Sequence, residues 1–152
     1  MNDKEHYLKE MVPTMIAELT RDHQPHFGIM TPQHMLEHLV WVTKSSVKDF
    51  GPPPEEPTDR QLGFKRFIAN GAEFKHRPSD KKKEDLDPPR LKDLDEARMK
   101  IQEAIERFYN VDRNRSYFNP MMGNLSFSEL ETFHFSHFKY HLEEQFQLSP
   151  GA

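Results

Sequence analysis

Apolar side chains recur every three or four positions in several segments of the chain, the spacing that places them on one face of an α-helix. Residues 3–19 form the first such segment, and Pro13 within it predicts a kink or a break. The second segment follows Thr31 and Pro32, a pair typical of helix N-termini, and its helix is expected to run to about Phe50. The N-terminal third therefore predicts two helices joined by a turn-rich stretch.

Three further helices are predicted after a proline-rich connector, GPPPEEP, through which no helix can continue. Residues 58–70 predict a short helix. Residues 94–109 predict a longer one, with Asp93 as its N-cap. The last helix is expected to follow Ser126, where the spacing S-x-x-E indicates a capping box, and to run to about Phe146.

The rest of the chain shows neither helical nor strand periodicity. Residues 72–92 combine many charges with Pro88 and Pro89 and predict a long surface loop, and residues 110–124 are also irregular. No segment alternates apolar and polar side chains as a half-buried strand does. We therefore expect an all-α fold: a four-helix bundle with one short extra helix and long surface loops, in a single domain that covers residues 1–152.

Composition narrows the classes of function. The net charge is −4, and the lysines at 81–83 are followed at once by Glu84 and Asp85, which is typical of a solvated loop rather than a nucleic-acid surface. The chain has no cysteine, so a site must use histidines, carboxylates or hydroxyls. No signal-peptide pattern and no long apolar run occurs, so a cytoplasmic protein without a nucleic-acid or membrane partner is expected.

Three histidines crowd into the last predicted helix, in the segment HFSHFKYHLEEQ. At 100° per residue, His134, His137 and His141 share one face that borders the apolar side. His134 and His141 are about 10.5 Å apart along the axis, so they could share one ion only by leaning strongly together. His137 and His141 are four positions apart, and their rings can converge on one metal ion. The alternative is three core-edge histidines satisfied by hydrogen bonds.

A third ligand would have to come from another helix, and the second predicted helix carries His34 and His38. His34 falls in the first turn, near the positive end of the helix dipole, whereas His38 lies one turn deeper beside apolar residues. His38 is therefore the better ligand. With Glu37 the same stretch also fits H-x-x-E-H, the pattern of certain zinc peptidases, but that alternative leaves the C-terminal histidine pair unexplained.

The segments MTPQHMLEHLVWVTKSS and NPMMGNLSFSELETFHFSHFKYHLEEQF resemble blocks of the DinB/YfiT-like superfamily of small four-helix-bundle metalloenzymes, in an uncharacterised branch. The resemblance implies one divalent metal ion bound by His38, His137 and His141. It leaves His34 and His134 outside the ligand set, as residues of the surrounding pocket. The region between the two segments is not diagnostic.

Three neutral imidazoles would leave an open coordination position, and nitrogen ligands alone do not select among zinc, nickel and iron. We expect a metal-dependent enzyme acting on a small molecule: a thiol S-transferase or isomerase, which the resemblance implies and which would use a low-molecular-weight thiol as cosubstrate, or a hydrolase. Glu37 and Glu144 are weak candidates for a catalytic base. The alternative is a non-catalytic, metal-binding or stress-related helical-bundle protein, including one that forms a homodimer.

Overall fold

The structure, a computed structural model, describes residues 1–150 and is mostly helical, with five helices and one small two-stranded sheet. Helix α1 consists of Asp3–His6, a π-helical turn Tyr7–Met11 and Val12–Ile16. The other helices are α2 Pro32–Ser46, α3 Asp59–Ala69, α4 Leu94–Tyr109 and α5 Phe127–Lys139, the last continuing as a π-helical turn Tyr140–Gln145. The strands are β1 Ser116–Asn119 and β2 Gly123–Ser126, and a 3-10 turn covers Lys83–Asp85.

Side-chain caps fix the starts of helices α1 to α5, and the sequence predicted three of these caps, Thr31, Asp93 and Ser126. In each case an oxygen of the capping side chain accepts a hydrogen bond from a backbone N–H in the first turn. The caps are Asn2 for α1, Thr31 for α2, Thr58 for α3, Asp93 for α4 and Ser126 for α5. Thr58 and Ser126 form complete capping boxes. The predicted bounds of α4, residues 94–109, agree with the structure.

Pro13 distorts α1 without ending it. A proline cannot donate a backbone hydrogen bond and its ring collides with the carbonyl four residues earlier, so a regular α-helix is disfavoured there. The turn Tyr7–Met11 is π-helical, with the N–H of Val12 bonded to the carbonyl of Tyr7, and it relieves this conflict directly before the proline.

Helix α2 is shorter than predicted, because it ends at Ser46 and not near Phe50. The Ser46 hydroxyl donates to the carbonyl of Thr43 at 2.7 Å, a carbonyl that the next N–H of a continuing helix would need. Beyond it, the Asp49 carboxylate accepts from the N–H of Gly51 at 2.8 Å and favours a turn.

The expectation of a purely helical fold is wrong in one place, because residues 116–126 form a hairpin. Strands β1 and β2 are antiparallel, with Ser116 opposite Ser126 and Asn119 opposite Gly123. Oδ1 of Asn119 accepts from two backbone N–H groups of the turn, at 2.8 and 3.2 Å. Strands of four residues are too short to show a reliable alternation in sequence. The four-helix bundle itself stays a prediction.

The helices enclose one apolar core, whose largest fully buried side chains come from α1, α2, α4, β2, α5 and the residues directly after α1 and after the last helical turn. They include Leu8, Met15, Leu36, Leu39, Ile101, Phe108, Leu125, Phe138 and Phe146. Helix α2 packs along α4, and contacts between α2 and α5 place its other side against the last helix. None of the helices formed by residues 1–150 combines the length and apolar character of a membrane span.

Candidate metal centre

Three histidine side chains from α2, α5 and the turn after α5 converge at one point. Nε2 of His137 lies 3.1 Å from Nε2 of His38 and 3.1 Å from Nε2 of His141. One ring nitrogen from each residue lies within 4.8 Å of the others. The ring planes cross at 73–80°, so that edges rather than faces meet. The structure therefore brings together the three residues that the sequence predicts as ligands.

The last of these histidines lies in the π-helical turn Tyr140–Gln145. The N–H of Phe146 bonds to the carbonyl of His141, five residues earlier, at 3.1 Å. A π turn advances by a smaller angle per residue than an α-helix, so Gln145, late in this turn, departs from a prediction made at 100° per residue, whereas the predicted meeting of the His137 and His141 rings is retained. Single π turns within helices occur frequently at functional sites.

Gln145, in the same turn, fixes the protonation of His141. Its side-chain carbonyl lies 2.7 Å from Nδ1 of His141, and its amide nitrogen donates to the backbone carbonyl of Phe27 at 3.4 Å. A carbonyl oxygen only accepts, so Nδ1 of His141 carries the proton. Nε2 of the neutral ring then presents a lone pair to the other two histidines.

The segment that follows α1 holds this turn in place. The N–H of His26 donates to the carbonyl of Gln145 at 2.6 Å, and Nε2 of His23 donates to the carbonyl of Phe146 at 3.0 Å. Gly28 has a φ of +79°, and a Cβ there would lie 3.1 Å from the Gln145 amide nitrogen. Residues 23–28 therefore satisfy carbonyls at the end of the last helix and position Gln145.

His137 is fixed by packing rather than by hydrogen bonds. Its ring lies 5.1 Å from that of Phe133 and 5.1 Å from that of Phe74, which belongs to the loop 72–92. Nδ1 of His137 is buried and has no hydrogen-bond partner within residues 1–150. Nε2 of His137 presents a lone pair toward His38 and His141 when the ring proton is on Nδ1, which is the tautomer that binds a metal through Nε2.

Hydrogen bonds alone do not account for this cluster. Nε2 of His141 can only accept, and Nε2 of a neutral His137 carries at most one proton, so at least one of the two 3.1 Å contacts has no hydrogen bond. Nitrogens bound to one tetrahedral zinc ion at about 2.1 Å lie roughly 3.4 Å from one another. The spacing and the lone pairs therefore fit a three-nitrogen ligand set for a divalent metal.

Burial keeps these imidazoles neutral. It lowers the pKa of His38 to about 4, with a smaller contribution from His141. Burial also holds the pKa of His137 well below 6.5 and lowers that of His141, although the bond to Gln145 opposes the latter shift. Neutral imidazole is the form that binds a metal, so the cluster is competent to bind at neutral pH.

The chain matches one family of known proteins. A family model described as "Protein of unknown function (DUF1569)" matches residues 8–147. The chain belongs to the DUF1569 family. No curated protein and no solved structure matches it. The region matched to DUF1569 contains the three histidines and Gln145, and the family description assigns them no activity.

His134, predicted as a pocket residue, takes a different position in this DUF1569 member. The Ser46 hydroxyl already donates to Thr43, so the contact of 2.8 Å between its oxygen and Nε2 of His134 has the histidine as donor. Nδ1 of His134 is buried without a partner, and burial lowers the pKa of the ring to about 3. His134 thus ties α5 to α2 and is not one of the three converging histidines.

His34 and Glu37, the other members of the H-x-x-E-H stretch, bind the loop segment 87–91. Nε2 of His34 donates to the carbonyl of Asp87 at 2.7 Å, and Nδ1 lies 2.6 Å from the Thr31 hydroxyl. Glu37 accepts from the N–H groups of Arg90 and Leu91 at 2.7 and 3.2 Å. Both ring nitrogens of His34 are occupied, which does not fit the peptidase pattern.

The ionisation of Glu37 follows from these bonds. Burial would raise its pKa, but hydrogen bonds from Arg90, Gln33 and Leu91 outweigh burial and lower it. Glu37 is therefore a carboxylate that holds a loop. Glu144, the second candidate base, is exposed. Neither carboxylate belongs to the cluster of His38, His137 and His141.

A pocket of about 540 Å³ opens beside the cluster, with His141 and Gln145 in its wall. Its other walls are the segment 27–30, Tyr140 and part of the loop 72–92. Its lining includes Arg77 and Lys81 and no carboxylate. The sequence did not indicate that the segment 23–28 or the loop 72–92 would take part in the site, because neither has periodicity or a recognisable motif.

Proposed function

We propose that this chain is a metal-dependent enzyme of the DinB/YfiT-like type, a four-helix bundle in which His38, His137 and His141 bind one divalent ion. The observation that carries the proposal is the convergence of three neutral histidines, the buried His137 and His141 and the half-buried His38, beside a pocket. Zinc, nickel and iron all suit such nitrogen ligands. A bound divalent ion supplies Lewis acidity at an open coordination position.

The substrate is a small molecule that enters the pocket beside His141. A volume of about 540 Å³ lies within the range usual for small-molecule sites. Arg77 and Lys81 favour a substrate with an anionic group, since no carboxylate in the lining offsets their charge. Phe27, Phe74 and Tyr140 pack together beside His137 and His141 and reduce the access of water to the ring nitrogens.

The reaction is either transfer of a low-molecular-weight thiol or hydrolysis. The chain has no cysteine, so a thiol would be a cosubstrate. The second candidate function is that of a non-catalytic metal-binding protein, and one observation favours it. Within residues 1–150 no carboxylate joins the three histidines, and the Glu37 carboxylate is bonded to a loop. A catalytic base would then have to come from the substrate, the cosubstrate or the solvent.

Elemental analysis of the purified protein tests the metal site. Wild type is expected to carry up to one divalent ion per chain, and His38→Ala, His137→Ala and His141→Ala should each lose most of it. His34→Ala is the matched control, because His34 lies on the same helix, one turn from His38, and bonds to Asp87 instead. Wild-type metal content in the His137→Ala/His141→Ala double variant would contradict the site.

A screen of metal-loaded protein tests the reaction. Bacillithiol-, mycothiol- and glutathione-type thiols are supplied with electrophilic acceptors, and simple esters and amides are tested beside them. Turnover by wild type that is lost in His137→Ala supports an enzyme. Full metal occupancy without turnover in every arm favours the non-catalytic alternative.

A further inference from the structure

A second pocket, of about 460 Å³, lies between α2, α4 and the segment 87–91. Five of its lining residues are Trp41, Lys44, Lys48, Arg90 and Arg107, and we call it the basic pocket. It shares no lining residue with the pocket beside His141. Whatever binds in it would therefore do so apart from the proposed metal-dependent reaction.

The charge of the basic pocket is opposite to that of the chain as a whole. It has four cationic side chains and one carboxylate, Glu37, although the chain carries a net charge of −4. Within residues 1–150 none of the four cations forms an ion pair, whereas Arg98, Lys100 and others elsewhere do. Glu37 is already bonded to two backbone N–H groups and to Gln33. The pocket thus offers an anion several unpaired donors.

An aromatic surface lies among these cations. Trp41 is 58% exposed, and it is the only tryptophan of the chain. Exposure of the large apolar indole ring to water is unfavourable, and the ring has a flat face on which a planar ring can stack. Trp41 and the cations together suit a ligand that is both aromatic and anionic.

The pocket is built before a ligand arrives. Glu37 and His34 attach the segment 87–91 to α2 through Arg90, Leu91 and Asp87, at 2.7–3.2 Å. These bonds place Arg90 in the wall of the pocket that Trp41 and Lys44 of α2 also line. Arg107 reaches it from the last turn of α4. A preformed pocket binds with a smaller loss of conformational entropy.

We infer that the basic pocket binds a nucleoside phosphate, with the base stacked on Trp41 and the phosphates bound by Lys44, Lys48, Arg90 and Arg107. The volume of about 460 Å³ is that of a small-molecule site, and the negative charge of the rest of the chain disfavours a long nucleic acid. This inference does not depend on the metal centre.

The fluorescence of the single tryptophan tests whether the basic pocket binds a nucleoside phosphate, with adenosine diphosphate as the probe. We expect saturable quenching that weakens as salt is raised. Adenosine should bind at least about tenfold more weakly, because it lacks the charged phosphates. Pyrophosphate should displace the nucleotide without quenching by itself. Absence of saturable quenching, or equal binding of adenosine and adenosine diphosphate, would overturn the inference.

Charge variants separate this site from general attraction of anions. Lys44→Gln/Arg107→Gln should weaken adenosine diphosphate about tenfold or more, since two charge-assisted contacts are lost. The matched control is Arg60→Gln/Lys75→Gln, which removes the same charge from exposed positions outside the pocket and should bind as wild type. Equal loss in both pairs, or tighter binding of single-stranded DNA than of the nucleotide, would refute the site.

Two further variants complete the test. Trp41→Phe has no tryptophan signal, so its affinity is measured by calorimetry, and it should bind more weakly because the stacking surface is smaller. Wild-type affinity of Trp41→Phe would contradict stacking on the indole. His137→Ala should bind adenosine diphosphate as wild type even if it loses metal. Loss of nucleotide binding in His137→Ala would contradict a separate site.

Discussion

The buried, neutral His134 should make the metal-free protein sensitive to acid. Burial lowers its pKa to about 3 in the folded chain, whereas an imidazole in the unfolded chain has a pKa of about 6.5. Between these two values the unfolded state binds a proton that the folded state does not. Acidification through pH 6.5 therefore lowers the free energy of unfolding, and the effect continues toward pH 3.

The size of the effect follows from the two pKa values. Each pH unit below 6.5 costs about 1.36 kcal/mol, so lowering the pH from 7.5 to 5.0 costs roughly 2 kcal/mol through His134 alone. His134→Gln removes this contribution while its amide can still donate to the Ser46 hydroxyl, as Nε2 of His134 does. The variant should thus lose about 2 kcal/mol less than wild type over this range.

Urea unfolding followed by circular dichroism, with chelator present at both pH values, measures the difference. His134→Asn is the matched control, because its shorter amide does not reach Ser46. It should show the reduced pH dependence of His134→Gln but be about 1 kcal/mol less stable at pH 7.5. Identical pH dependence in wild type and His134→Gln would refute the assignment of a buried, neutral ring.

Three other outcomes follow from the site. Gln145→Leu should weaken metal binding about 10–100-fold, because His141 loses the acceptor that fixes its tautomer. Gln145→Glu keeps an acceptor, so its affinity for the metal should be closer to that of wild type. A competition titration with a chromophoric chelator measures both affinities. Removing metal near pH 7.5 should lower the melting temperature by several degrees while the helical spectrum persists, since the ion links α2 to the last helix; equal melting temperatures would count against a bridging ion. The metal should remain bound at pH values below about 6.5, the ordinary pKa of imidazole, because burial lowers the pKa of His38 to about 4. Release of the metal should approach completion only toward pH 4. Dialysis against buffers of falling pH, followed by elemental analysis, gives the midpoint of release.

The sequence predicted those parts of the molecule that depend on local spacing. Three helix starts follow from Thr31, Asp93 and Ser126, because a capping side chain bonds within its own first turn. The i,i+4 spacing of the last two histidines brings their rings together for the same reason. The DinB/YfiT-like resemblance, the four-helix bundle and the single domain stay predictions.

Features that depend on distant contacts could not be predicted. The role of Gln145 requires a π turn that is held by residues 23–28, and nothing local to YHLEEQ indicates that turn. Likewise, His34 and His38 are four positions apart, as His137 and His141 are, so spacing alone does not show which of them is a ligand. The loop 87–91 supplies the carbonyl to which His34 bonds. The hairpin of residues 116–126 needs Gly123, which has a φ of +90° and at which an added Cβ would lie only 3.0 Å from the Cβ of Gln61.

The bonds between residues 23–28 and the last helical turn have a consequence for the order of folding. His23 and Phe146 are 123 positions apart, and His38 and His137 are 99 positions apart. Contacts between such distant positions close large loops and form late in folding. During synthesis, an emerging chain that ends before His137 offers only one of the three nitrogens. A metal ion bound by all three histidines could therefore be held only after the last helix has left the ribosome.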